Sequence, residues 1–63
     1  MDKLRWVIAL DKVTGMRMAF TVCDLNLVPF YQSKYMIEGY DVKVLTADEA
    51  LKFADDEKAR GIL

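Results

Sequence analysis

Between Leu4 and Val22 the chain alternates large apolar residues with smaller or polar ones twice, and Lys12-Val13-Thr14-Gly15 links the two runs. Leu4, Trp6, Ile8 and Leu10 share one parity of the first run; Met16, Met18, Phe20 and Val22 share one parity of the second. A period of two is the signature of a half-buried strand, and two such runs around a short glycine-containing link predict a β-hairpin. Asp11 can accept local backbone hydrogen bonds and Gly15 can adopt positive φ, which predicts a type I turn closed by glycine with Val13 exposed at its tip. Setting Leu10 against Met16 puts Ile8 against Met18, Trp6 against Phe20 and Leu4 against Val22. One hairpin face then carries all eight large apolar side chains and has to be covered, with Trp6 at its centre. The other face carries Arg5, Val7 and Ala9 opposite Thr21, Ala19 and Arg17, with Cys23 beyond, and is small and apolar in its middle.

The remaining residues read as the cover plus one more strand. Asp24 and Asn26 are helix-capping types and Pro29 suits a first helical turn, so a helix is expected over 27–38, with Gly39 ending it in the left-handed conformation. The competing expectation is an extended segment over 27–31, because Pro29 biases Val28 away from the α region. Tyr40 to Leu45 alternates again and predicts a third strand, with Tyr40, Val42 and Val44 on one face and Asp41, Lys43 and Leu45 on the other. A strand, helix and strand in succession favour a right-handed crossover with strand three parallel to strand two or strand one. Thr46 three residues before Glu49 is a capping box for a last helix, whose Ala47, Ala50, Leu51, Phe53 and Ala54 share an apolar side. Asp55, Asp56, Glu57, Lys58 and Arg60 begin its solvated part, Asp56 and Arg60 have the spacing of a helical ion pair, Gly61 stops it, and Ile62 and Leu63 read as a frayed tail in preference to a small apolar hook against a partner. The expected fold is a single α+β domain over 1–63 in ββαβα order: two layers, a mixed three-stranded sheet with both helices on the Trp6 and Phe20 face.

Sixty-three residues with 54% apolar content are rich for a small core, and the lone Cys23 allows no internal disulfide. Without histidine, one cysteine cannot build the usual zinc shell, so self-association is the expected way to bury the surplus. The phosphate-loop motifs are missing, since Gly15, Gly39 and Gly61 are isolated, and Cys23 has no activating partner at motif spacing. Asp48 and Glu49 read as capping residues, and Asp55 to Glu57 as a solvated face rather than a cation site. No catalytic, cofactor or metal residues are expected, and the chain is read as non-enzymatic.

The expected function is a small protein-interaction or regulatory protein that self-associates, with a homodimer favoured, and binds a partner protein. The candidate interface is the small-residue sheet face (Val7, Ala9, Ala19, Leu45), a sheet edge where two sheets join, or the tyrosine-rich helix (Tyr31, Tyr35). The alternative is a nucleic-acid accessory role with Arg5, Arg17 and Lys43 on the open sheet face. It is disfavoured because the net charge is -1 and because Trp6 and Phe20 have the wrong parity to stack bases there. No signal peptide and no run of about 20 apolar residues is readable, so a cytoplasmic, non-membrane protein is expected.

Overall fold

Strands β1 (Leu4–Leu10) and β2 (Arg17–Asp24) form where alternation coincides with β-branched and aromatic residues. The computed structural model describes residues 3–59 and 61, so the Asp56–Arg60 pair and the tail at Ile62 and Leu63 lie outside the described residues. Asp11 organises the link. Its carboxylate accepts the amides of Val13 and Thr14 at 2.8 and 2.9 Å, and its carbonyl accepts the Gly15 amide at 2.9 Å. Gly15 has φ 73°, a value that a Cβ would strain, and Val13 is exposed at the tip.

The register differs from expectation by two residues. Leu4 faces Asp24, Trp6 faces Val22, Ile8 faces Phe20, Ala9 faces Ala19 and Leu10 faces Arg17, with a β-bulge at Met18. The cause is the turn: the Asp11 amide donates to the Met16 carbonyl, so Met16 closes the loop instead of pairing with Leu10, and the bulge absorbs the leftover residue. Parity up to Phe20 is kept. Met16 and Met18 leave the shared face, and Arg17 is carried onto it.

After β2 a single 3₁₀ turn (Leu25–Leu27), capped by Asp24 Oδ1 accepting the Asn26 amide at 2.9 Å, leads into α1 (Val28–Ile37) with Pro29 in its first turn. The helix therefore prevails over the extended alternative. It ends in a Schellman arrangement, in which the Tyr40 amide donates to the Tyr35 carbonyl, the Gly39 amide donates to the Met36 carbonyl, and Gly39 has φ 94°. Strand β3 (Asp41–Leu45) and helix α2 (Ala47–Ala59) complete the chain. The capping box forms in both directions: the Thr46 amide donates to Glu49 Oε1 at 3.0 Å, and the Glu49 amide donates to Thr46 Oγ1 at 3.3 Å.

The architecture has the expected ββαβα order, with two helices packed on a three-stranded sheet. The strand order is β2-β1-β3 and both ladders are antiparallel, so β2 and β3 run the same way with β1 between them. Strands two and three run parallel as expected but are not neighbours, so every pairing in the sheet is antiparallel and the expected mixed pairing is corrected.

The helices do not share a face. Tyr35, Tyr31 and Val28 of α1 pack on Val7, Ala9, Ala19, Cys23 and Val42, while α2 sets Ala50, Phe53 and Ala54 against Trp6, Ile8 and Phe20. The two-layer expectation is thereby corrected to three layers, with the sheet in the middle. Small side chains on the Val7 face let the bulky tyrosines of α1 approach closely, whereas the large side chains of the other face meet the alanine stripe of α2. The deepest residues are Val7 and Ala9, both 0% exposed, and Trp6 is only half-buried. Cα positions span 33 × 29 × 11 Å. Stacked layers need about 10 Å each and three strands span about 10 Å side by side, so the short axis runs across the strands. The broad sides of this slab are its two sheet edges and the flanks of both helices.

Candidate interaction surface

The small-residue face is closed. Val7 and Ala9 are fully buried beneath α1, Ala19 packs at the margin of that cluster, and Tyr35 is buried with its hydroxyl 3.0 Å from Thr21 Oγ1. Leu45 faces Trp6 and so belongs to the opposite side of the sheet. Val7, Ala9, Ala19 and Leu45 therefore do not form an open face, and of the helix candidates Tyr35 is core while Tyr31 is half-buried, edge-on to Phe30 at 5.1 Å between ring centroids. Two readings from the sequence assigned this face to a dimer or to RNA, because its small side chains gave no sign that a helix would come that close.

The cationic set is split as well. Arg5 keeps the parity of Val7, on the side of α1, and donates from its guanidinium to the Leu4 carbonyl at 2.8 Å. Arg17 reaches the α2 side through the bulge, with its guanidinium 5.4 Å from the Phe20 centroid and Nε 3.7 Å from Glu57 Oε2. Lys43 lies on that side too, but at the β3 edge, over the Phe53 ring at 5.6 Å. Arg5, Arg17 and Lys43 thus form no common basic surface.

Glu57 is the other correction. Its 1% exposure contradicts a place on the solvated side of α2. It follows Ala50, Phe53 and Ala54 at helical spacing and so continues the inward stripe. Among the described residues its Oε1 has no hydrogen-bond partner, and Arg17 is the cation that offsets its loss of hydration. Its spacing from Phe53 and Ala54 is the one signal in the sequence that sets it apart from its solvated neighbours, and the bulge that turns Arg17 to this side supplies its ion-pair partner.

Among the described residues two apolar surfaces remain uncovered, as expected of a sheet too small to hide every large side chain. The first is a groove of about 380 Å³ between α2 and β2, lined by Trp6, Ile8, Phe20, Leu51 and Phe53 with Arg17 at its rim. It opens toward β2, where Phe20 and Val22 are 51% and 42% exposed. The second is the outer side of α1, where Pro29, Phe30, Ser33 and Ile37 form a stripe flanked by Lys34 and Glu38. Cys23 is a free thiol buried beneath α1. Among the described residues no cluster of three or more acidic, cysteine or histidine side chains could hold a metal ion, and no helix is long and apolar enough to cross a membrane.

Among the described residues, fold and surface together define a small three-layer α+β unit with open sheet edges and two exposed apolar tracts. Compared with family models, curated proteins and solved structures, the chain matches none.

Proposed function

We propose that this chain is a non-enzymatic protein-interaction or regulatory module of the cytoplasm, acting through self-association and through binding of a partner protein. One observation carries the reading. With a helix already on each face of the sheet, Phe20, Leu51, Phe30 and Ile37 are still 51%, 69%, 64% and 86% exposed. Contiguous exposed apolar tracts are uncommon on free-standing soluble domains and mark contact surfaces. The two tracts belong to different elements, the α2–β2 groove and the outer stripe of α1, so one can meet a second copy while the other meets a different protein.

The test is affinity capture with crosslinking from the native cell, using the wild type and a Phe30→Glu/Ile37→Glu variant whose helical content and unfolding midpoint match the parent. The reading predicts a specific protein captured by the wild type and lost with the variant. It is overturned if the wild type is a monomer that captures no protein, and salt-sensitive retention of RNA or DNA in that case would favour the nucleic-acid reading instead.

A further inference from the structure

The two edges of the sheet are unequal. Strand β3 is five residues long and places Asp41 and Lys43 on its α2 side, the kind of charge that discourages another strand from pairing. Strand β2 is eight residues long, has no charged residue between Arg17 and Asp24, and has no strand beyond it among the described residues.

The direction of its free backbone groups follows from one bond. The Leu25 amide donates to the Lys3 carbonyl at 2.6 Å, extending the β1–β2 register beyond Leu4 and Asp24. Hydrogen-bonded pairs alternate in an antiparallel ladder, so Cys23, Thr21 and Ala19 direct their N–H and C=O groups at β1. Phe20, Val22 and Asp24 direct theirs outward, toward the open edge.

We infer that a second copy of this chain docks on β2, strand against antiparallel strand about a two-fold axis at Thr21, joining two sheets into one of six strands. This rests on the self-association part of the proposed function and specifies where it occurs. The two-fold preserves the faces of the sheet, so only registers matching even residues with even and odd with odd are open to it. Centred on Thr21, Phe20 lies opposite Val22 of the second copy, and each directs backbone groups at the other. The same register brings Asp24 of each copy to the Arg17 end of the other, and the bulge has already moved Arg17 to the face Asp24 occupies. Residue for residue this register sets Asp24 opposite Met18, and the bulge that takes up Met18 brings Arg17 beside it; centring on Val22 would set Asp24 opposite Phe20, and centring on Phe20 would carry it past Arg17 to Met16. The exposed sides of Phe20 and Val22 become continuous across the joint, beside the α2 groove of each copy.

Two variants test it. Val22→Pro removes an outward N–H and leaves the β1 ladder intact, a position where an edge strand tolerates proline. Ala19→Cys places a new thiol opposite the native Cys23 of the other copy. In this register the two form a pair without ladder hydrogen bonds, whose Cα atoms lie about 4.5 Å apart, within disulfide range. Within one chain the two positions are about 13 Å apart along the strand, too far to bridge. The expected results are a dimeric wild type by sedimentation, a folded monomer for Val22→Pro, and a covalent dimer on mild oxidation of Ala19→Cys but not of the wild type. A Val22→Pro protein that is folded and still dimeric, or an Ala19→Cys dimer that does not cross-link, overturns the edge joint while leaving self-association through another surface. A wild type that stays monomeric at high concentration overturns both. If Val22→Pro does not fold, the Ala19→Cys result decides.

Discussion

Tyr35 ties α1 to the sheet with both its ring and its hydroxyl, and it is the side chain whose loss should be felt most. Removing the ring leaves a cavity over Val7 and Ala9, so Tyr35→Ala should cost several kcal/mol, on the scale of about 3–5 for a buried aromatic. Tyr35→Phe removes only the bond to Thr21 and should cost about 1 kcal/mol. Urea unfolding of Tyr35→Phe, Thr21→Val and the double variant should show coupling, and strict additivity would mean that the hydroxyls do not interact. Glu57 is the opposite case. Leucine in its place should leave stability unchanged or raise it, because a buried carboxylate held by an ion pair at 3.7 Å is no better than an apolar side chain of similar size. Arg17→Met should destabilise by stranding the carboxylate, and a loss for Glu57→Leu larger than for Arg17→Met would contradict this account. Trp6, expected at the centre, is a groove residue, so Trp6→Ala should cost less than Tyr35→Ala.

At the scale of elements, local signals were the most legible. The Thr46 and Glu49 box, the Gly39 stop and the Asp11 turn stand where the residues indicate, and the three strands lie within a residue of their expected bounds, because each depends on neighbours within a few positions. What depends on distant contacts was not legible. Register required knowing that the Asp11 amide bonds Met16, and the face chosen by α1 required weighing two sheet faces that both needed cover. Large side chains on one face concealed that the small-residue face was the better seat for tyrosines. The box carries a further prediction. Thr46→Ala should cost about 1 kcal/mol. The Thr46 amide, followed by its hydroxyl, holds the Glu49 carboxyl below the usual carboxylate range, and the amides of Thr14 and then Val13 do the same for Asp11. Each group binds its proton less tightly folded than unfolded. Its contribution is therefore complete above the ordinary value near about 4 and is lost as pH falls through the lower folded value. Unfolding midpoints measured from neutral pH into acid should fall less steeply for Glu49→Gln and for Asp11→Asn than for the wild type. Curves parallel to the wild type would contradict both assignments.

At the scale of the whole molecule, a sheet only three strands wide gives each helix a seat and leaves the edges as broad sides. The apolar surplus was legible in composition, and the exposed Phe30, Ile37 and Leu51 agree with it. Its location was not, because the candidate faces read from parity became core when α1 closed over Val7 and Ala9. The account's central claim is that the β2 edge is covered by a second copy, and amide hydrogen exchange along β2 at increasing protein concentration tests it most directly. The Ala19, Thr21 and Cys23 amides should be protected at every concentration by β1. The Phe20, Val22 and Asp24 amides should exchange rapidly in dilute solution and become protected together as concentration rises. Exchange at those three positions that does not change with concentration, in a sample where Ala19, Thr21 and Cys23 remain protected, would contradict the claim.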